Sequence, residues 1–308
     1  MSELEVRELR YFIAVAEELN FSRAAQRLAI AQPPLSKAIA QMESRLGVRL
    51  LERTTRQVRL TTAGQVLLDQ ARIAVDAVHA AARRTRRAGR PTPRLVVAVK
   101  PGGDAGLLRE ILTAYRETDP HLPPPEVAVG GSGEPIAMLR DGRADVALLR
   151  SPFDGQGLDS QTLVVEPRLA VLPAAHRLAA RPRLQLTDLW GEPIPRWKGA
   201  VPSATAYYTG HDAPPTDGPA GTTPAGTPEG PLVASVEQLL EVVALGQAVA
   251  FLARSTTKRH QRPDIAYRPV TGLSPSTVMV AWPKTSRSTA VAAFVRAAHH
   301  VATHHPTT

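Results

Sequence analysis

The chain contains no cysteine, which removes disulfides, thiolate nucleophiles and Cys-ligated metal from consideration. Aromatic residues are scarce, at 4%. No apolar run approaches the roughly 20 residues that a membrane-spanning helix requires. The opening residues, MSELEVRELRYF, mix acids with bases and lack the basic-then-apolar layout of a secretion signal. A cytoplasmic protein without membrane contact is expected. What the 308 residues do hold is a 43% hydrophobic fraction, ordinary for a globular protein and sufficient to exclude disorder of the whole chain. The length suits two or three domains.

Positive charge is abundant and unevenly placed. The formal net charge is +9. Met1 to Pro93 carries 16 Lys+Arg and 9 Asp+Glu, net +7, and everything beyond carries net +2. This reads as a polyanion-binding segment attached to a near-neutral body.

Within the basic segment the apolar spacing is helical. Leu9, Phe12, Ile13 and Ala16 form one face, with Ser2 and Glu5 at capping-box spacing before them. Ser22 is the expected N-cap of a short second helix bearing Ala24, Ala25 and Leu28. Pro33 and Pro34 suit the first turn of a third, which carries Leu35, Ile39, Met42 and Leu46 and ends at Gly47. A short helix, a tight turn and a helix that starts with Gln32, Ser36, Lys37 and Gln41 is the layout of a helix-turn-helix. The second helix of that unit enters the major groove and presents its early residues to base edges. Val48 to Leu51 and Val58 to Leu60 then suggest a small hairpin or wing, with Arg53, Arg56 and Arg59 placed for phosphates or the minor groove. Thr61-Thr62 starts a long helix reaching about Arg87. Leu68, Val75 and Ala82 repeat every seven residues along it, with Ala71 and Val78 between, as a helix-pairing seam requires. It closes in an arginine-rich stretch and a hinge at Pro91 and Pro93.

The stretch FSRAAQRLAIAQPPLSKAIAQMESRLGVRLLERTTRQVRLTTAG, Phe21 to Gly64, resembles the winged helix-turn-helix of LysR-type transcriptional regulators. The resemblance rests on Ala24-Ala25 and Leu28, Gln32-Pro33, Leu35-Ser36-Lys37, Leu46-Gly47, Leu50-Leu51, Arg53, Arg56, Leu60-Thr61 and Ala63-Gly64. It implies that Gln32, Pro33, Pro34, Ser36, Lys37 and Gln41 read DNA. Ser22 and Arg23 assist from the preceding helix, and Arg53 and Arg56 lie on the wing. It also implies homodimers joined through the helix Thr62 to Arg87, a homotetramer, an interrupted promoter palindrome in double-stranded DNA as target, and RNA polymerase as a further partner.

The rest of the chain alternates strands and helices, which implies βαβ crossovers and a mainly parallel sheet. Leu95 to Val99, Val127 to Val129 and Asp145 to Leu149 are its first strands. Their ends, where such sheets place ligands, are Lys100, Gly130 to Gly133 and Leu149-Arg150. A second unit starts near Val164, and Val278 to Trp282 with Ala290 to Val301 return to the first. Pro202 to Pro231, rich in Pro, Gly, Thr and Ala, reads as a flexible loop or insertion. This half resembles the effector-binding domain of the same family, two lobes of periplasmic-binding-protein type, through Gly142 with Asp145-Val146-Ala147, Leu172-Pro173 with His176, and Gly246 before Val249. The expected fold is therefore α/β. A winged helix-turn-helix spans residues 1–64, a linker helix and hinge 65–93, and an effector domain 94–308. The first lobe takes about 94–164 and 268–303, and the second about 165–267.

By position, the resemblance places Lys100, Gly102, Ser132, Arg150, Trp197 and Val249 around a small-molecule effector between the lobes. Ser or Thr is the family's usual residue where Lys100 stands. Lys100 and Arg150 suit an anionic effector, helped by amides near Gly102-Gly103. An ion pair between the lobes is the alternative. Ser132 lies in Gly-Gly-Ser-Gly-Glu, where Glu134 breaks the G-x-S-x-G pattern of a nucleophile, so neither a catalytic serine nor an enzyme is expected. His299, His300, His304 and His305 have no carboxylate or Cys beside them, and neither metal nor cofactor is expected. A solute-binding protein and a nonspecific nucleoid protein are rival readings. The first leaves the basic helix-turn-helix without a role.

Overall fold

The computed structural model describes residues 4–53, 57–89, 91–198, 202–212 and 228–304. Two compact units divide it, one Met1–Pro91 with Arg140–Arg143, the other Thr92–Leu139 with Ala144–Thr308.

The first unit is built from α1 (Val6–Glu18), α2 (Phe21–Arg27), α3 (Gln32–Leu46), a hairpin of β1 (Leu51–Arg53) and β2 (Val58–Leu60), and α4 (Thr62–Ala88). Three short helices stand because each surrenders one apolar stripe to a shared core of Phe12, Val15, Ala24, Ala25, Leu35, Ile39, Met42 and Leu50. Isolated helices of 7 to 15 residues would be marginal in water.

The caps differ from expectation. Ser2 lies outside the described residues, and the box at the start of α1 is formed by Glu5 and Glu8. Asn20, not Ser22, caps α2, its side chain accepting the Arg23 amide at 3.0 Å. Gly47 ends α3 at φ 69°, a left-handed conformation that costs glycine nothing. Thr61 caps α4, receiving the Gly64 amide at 2.9 Å. At 27 residues, α4 is a rod of about 40 Å.

The second unit contains two larger sheets and a third of two strands. Its elements in order are β3 (Leu95–Val99), α5 (Leu108–Thr118), β4 (Pro125–Val129), α6 (Glu134–Arg140), β5 (Val146–Arg150), β6 (Leu158–Glu166), β7 (Arg168–Pro173), β8 (Leu184–Gln185) and a 3-10 turn at Leu186–Leu189. There follow β9 (Ile194–Trp197), α7 (Pro202–Thr209), β10 (Glu229–Val233), α8 (Val236–Ala244), β11 (Ala250–Ala253), α9 (Arg254–Arg259), β12 (Ile265–Thr271), β13 (Ser276–Pro283) and α10 (Thr289–His304).

The first sheet runs β4-β3-β5-β13-β6. Its β3 is parallel to β4 and β5, and β13 is antiparallel to β5 and β6. Because β3 is covered on both faces, all five of its residues are buried, as a continuous apolar run in a parallel strand requires. Tyr115 of α5 and Phe294 of α10 meet at 5.8 Å between centroids in the core against that sheet.

The second sheet runs β11-β7-β12-β8, with β7 antiparallel to both neighbours. The expectation of mainly parallel pairing thus holds for part of the first sheet, for β8 beside β12 and for the separate pair β9-β10, and fails for the rest. Val164 belongs to β6 of the first sheet, so the crossing to the second comes at Pro167-Arg168. β12 stays in the second sheet to Thr271, and the return falls beyond position 268. In the stretch Pro202 to Pro231, residues 202–209 are α7 and 229–233 are β10, with Tyr207 buried. Positions 213–227 lie outside the described residues.

Candidate nucleic-acid interface and ligand cleft

α2 and α3 are brought together by small side chains. Ala24 and Ala25 are buried, and the turn between the helices uses Ala29 at φ 53°. One face of α3 is thereby spent on the core through Leu35, Ile39 and Met42, and the other is left free. Gln32, Pro33, Pro34, Lys37 and Gln41 are exposed, Ser36 is half-buried, and Ser22 and Arg23 are exposed on α2. The Gln32 amide nitrogen donates to Ser36 Oγ at 3.1 Å. Arg23 is partly engaged: its guanidinium donates to the Glu18 carbonyl at 2.7 Å and lies 3.6 Å from the Glu18 carboxylate. The two prolines sit in the first turn of α3, where their missing amides have no helical partner to lose.

The wing is pinned to α3 and α4. Glu43 Oε1 accepts the amides of Leu50 and Leu51 at 2.8 and 3.1 Å. The Leu50 carbonyl accepts the Thr61 amide at 3.0 Å. Arg53 closes β1 opposite Val58, and Arg56 lies outside the described residues. Arg59 is exposed on β2.

An ion-pair network ties the unit together. Arg27 and Arg72 both reach Glu17 at 2.7 Å, joining α2 and α4 to α1. Burial pushes the Glu17 carboxyl up, and the two guanidiniums outweigh it, leaving its pKa below the ordinary value.

On α4 the structure corrects the first half of the expected seam. Leu68, Ala71 and Val75 are buried inside their own unit, with Ala71 and Val75 clustered against Leu9 of α1. Val78, 43% exposed, and Ala82 stay free on the expected seam, and a second free apolar stripe lies on the opposite side, where Val66 is 60% and Ile73 41% exposed. Ala77 continues it one turn further on.

In the second unit, Lys100 leaves the end of β3 and Arg150 the end of β5. Arg150 is committed to protein partners. Its Nη1 donates to Glu166 Oε1 and Ser276 Oγ, both at 2.7 Å, and its Nη2 donates to Ser255 Oγ at 3.1 Å. Ser255 in turn donates its amide and hydroxyl to the Glu166 carboxylate at 2.6 and 2.7 Å. Arg150 and Glu166 close strands of the first sheet, and Ser255 lies in the first turn of α9. The charge of Arg150 is thus met within its own sheet by Glu166, not by the expected ion pair between the lobes.

Lys100 is different. Its ammonium lies 5.1 Å from the ring centroid of Trp197 on β9, so the first sheet meets the second sheet's lobe there. Among the described residues it has no carboxylate at ion-pair distance. Burial, and then the charge of Arg150, push its pKa down against the weaker pull of Glu237.

The other expected cleft residues scatter. Gly102 turns at φ 70° beside Arg259, which pairs with Asp104 at 3.1 Å. Ser132 is exposed in the turn before α6. Val249 is 2% exposed and its side chain is packed in the second sheet's apolar core.

Residues unread in the sequence complete this region. Trp197 packs on Tyr208 at 5.2 Å, and Tyr208 meets Tyr207 edge-on at 5.5 Å. Arg168 stacks 3.8 Å over the Tyr207 ring. Its guanidinium donates to the Tyr207 carbonyl, to Ser274 Oγ, to the Ser274 carbonyl at 2.6 Å and to Asp212 at 3.1 Å. The paired tyrosines in a stretch otherwise of small residues were the available signal. Among the described residues no group of three His, Asp or Glu could hold a metal, and no helix is long and apolar enough to cross a membrane.

Comparison with known proteins gives the same division. Residues 6–65 match the family "Bacterial regulatory helix-turn-helix protein, lysR family", and residues 88–303 match the "LysR substrate binding domain". The chain is 38% identical over 207 residues to the HTH-type transcriptional regulator YnfL of Escherichia coli (strain K12), a match covering 62% of this chain and 65% of YnfL. It is 28% identical to the Hca operon transcriptional activator HcaR of the same organism, over 95% of this chain and 96% of HcaR. The structure of full-length BenM, a regulator of Acinetobacter baylyi, is 26% identical and superposes with a TM-score of 0.52, covering 97% of this chain and 96% of that one. On these matches, spanning both units, the chain belongs to the LysR family of bacterial helix-turn-helix regulators.

Proposed function

We propose that this protein is a sequence-specific DNA-binding transcriptional regulator whose state is set by a small anionic molecule held between the two sheets of its C-terminal unit. The observation that carries the reading is the face of α3. A row of hydrogen-bonding side chains, Gln32, Ser36, Lys37 and Gln41, stands beside a pinned hairpin in the most basic part of the chain. Glutamine reads adenine bidentately, and lysine meets guanine or phosphate.

The free stripe Val66, Ile73, Ala77 on α4 supports a homodimer through the linker helix. A two-fold dimer presents two α3 helices to a palindromic promoter, and pairing of dimers gives a tetramer. RNA polymerase is the further partner at such a promoter. No cofactor and no catalysis are invoked, and the DNA target places the protein in the cytoplasm. Ligand control follows from linkage: a molecule that binds one arrangement of the two sheets more tightly than another biases the population presented to DNA.

A gel shift with genomic fragments enriched by the protein, run at two salt concentrations against random duplex, tests the reading. The expected preference is at least about 10³-fold. Equal affinity for random DNA, or none for either, overturns it. In the same assay Lys37→Ala and Gln32→Ala should each weaken the enriched fragment by about 1–3 kcal/mol if they touch bases, leaving random duplex much less affected. Ile73→Glu places a charge on the proposed pairing stripe. It should shift the protein to a smaller species in sedimentation, and an unchanged sedimentation coefficient would remove this face from the interface.

A further inference from the structure

The last helix carries a pair of histidines for which regulation of DNA binding has no use. α10 is anchored through Val291, Phe294, Ala297, Ala298 and Val301, which pack into the core of the first sheet. His300 and His304 are left exposed on the outer side. Four residues apart, they share one stripe of the helix surface. Their ring centroids lie 4.4 Å apart, with the planes at 44°.

Hydrogen bonding singles out these two rings. His304 Nδ1 lies 2.8 Å from the His300 carbonyl. A carbonyl oxygen only accepts, so Nδ1 carries the hydrogen and the lone pair of the neutral ring sits on Nε2. A backbone carbonyl on the second nitrogen is the arrangement that orients a metal-bound imidazole and raises its basicity. The His300 ring has no hydrogen bond among the described residues. His299, its neighbour, is committed elsewhere, with Nδ1 2.8 Å from the Gln161 amide nitrogen. Other histidines are engaged in the same way, His79 Nε2 by Arg10 at 2.7 Å and His211 Nδ1 by Thr209 at 2.9 Å.

The spacing is that of a chelate. A metal about 2.0 Å from each ring nitrogen stands about 3.2 Å from each centroid, which sets the centroids about 4.5 Å apart when the two bonds meet at a right angle. Histidines at i and i+4 are also the way a helix offers two ligands to zinc. α10 contains no Asp or Glu, and among the described residues no third His, Asp or Glu joins the pair. The lack of carboxylate and Cys partners restricts the metals rather than excluding them. Two imidazoles suit Cu²⁺, Ni²⁺ and Zn²⁺, with Cu²⁺ bound most tightly, whereas Mg²⁺ and Ca²⁺ require oxygen ligands.

We propose that His300 and His304 bind one divalent transition metal ion of the copper, nickel and zinc group. His304 Nε2 and a ring nitrogen of His300 are the protein ligands, and water fills the remaining positions. The site is separate from the DNA interface and from the cleft, and stands whether or not either is read correctly.

Calorimetric titration of the untagged full-length protein with Cu²⁺, Zn²⁺ and Mg²⁺ tests it, together with electron paramagnetic resonance of the complex with one equivalent of Cu²⁺. The tightest Cu²⁺ equivalent should weaken at least tenfold in His300→Ala and again in His304→Ala, and change less than twofold in His299→Ala. Zn²⁺ should bind more weakly than Cu²⁺, and Mg²⁺ not at all. The resonance spectrum should show coupling to two nitrogens, reduced to one in either alanine variant. Melting curves of each variant establish that it is folded. No binding of Cu²⁺, a tightest equivalent unchanged in His300→Ala or His304→Ala, an equal loss in His299→Ala, or Mg²⁺ binding as tight as Cu²⁺ would each overturn the proposal.

Discussion

Replacing Arg168 with alanine is expected to lower the stability of the C-terminal unit by about 3–5 kcal/mol, the range for breaking a buried charged pair by removing one partner. The side chain is 1% exposed. Its guanidinium serves four acceptors from two separate pieces of chain: the Tyr207 carbonyl and Asp212 in one, and the Ser274 carbonyl and hydroxyl in the other. Truncation leaves Asp212 without its buried cation and leaves an unfilled space against the Tyr207 ring. Burial pushes the Arg168 pKa down, with Tyr207 and Asp212 opposing. The charge is therefore tolerated because of these partners, and it fixes α7 to the second sheet. All three tryptophans lie beyond residue 92, so tryptophan fluorescence during urea unfolding reports this unit alone. Arg168→Lys keeps the charge and loses the fork, and should fall between the two. A change within about 1 kcal/mol for the alanine variant, the range of an ordinary single hydrogen bond, would show that the network contributes little.

The second large effect is expected in the DNA-binding unit. A Cβ placed on Gly64 would fall 2.0 Å from the Leu50 carbonyl oxygen and 3.0 Å from the Leu60 side chain. Leu50 cannot move away freely. Its carbonyl accepts the Thr61 amide, its own amide is held by Glu43, and its side chain is 1% exposed in the core. Gly64→Ala therefore forces the start of α4 from the base of the wing, at a cost of about 3 kcal/mol, the upper part of the overpacking range. Loss of specific DNA binding with an unchanged fluorescence transition is the expected pattern. DNA binding at wild-type strength would mean that the close approach is not needed.

The parts of this fold that sequence made legible are those fixed by local chemistry. The apolar spacing of α1 to α3, the proline-marked start of α3, Gly47, and the Thr61 cap depend on neighbours within a turn or two. The expected β3 matches because five successive apolar residues suit a strand buried on both faces. Where two nearby residues offered equivalent chemistry the choice went astray, as with Ser22 against Asn20.

Choices made by tertiary packing were not legible. Two stripes on α4 have helical spacing, and which is free depends on α1 lying across Ala71 and Val75. β12 was hidden by Pro269 and by its mixture of Arg, Tyr and Ala. α7 was hidden by a composition suited to loops.

The cleft was half visible. Strand ends pointed to Lys100 and Arg150. The partners of Arg150, however, lie 16, 105 and 126 positions away, and no local pattern announces Glu166, Ser255 or Ser276. Val249 shows the converse: its position was inherited from a resemblance, and its side chain is packed into a core.

In the proposed complex α3 lies in the major groove and reads bases there. Because the chain has no cysteine, a single Gln41→Cys substitution gives a unique attachment point for a photo-cross-linker, used on the full-length protein bound to an enriched genomic fragment. Cross-links to major-groove edges at two short positions related by a dyad are expected. Cross-links scattered along the fragment, or their absence while the protein remains bound, would contradict it.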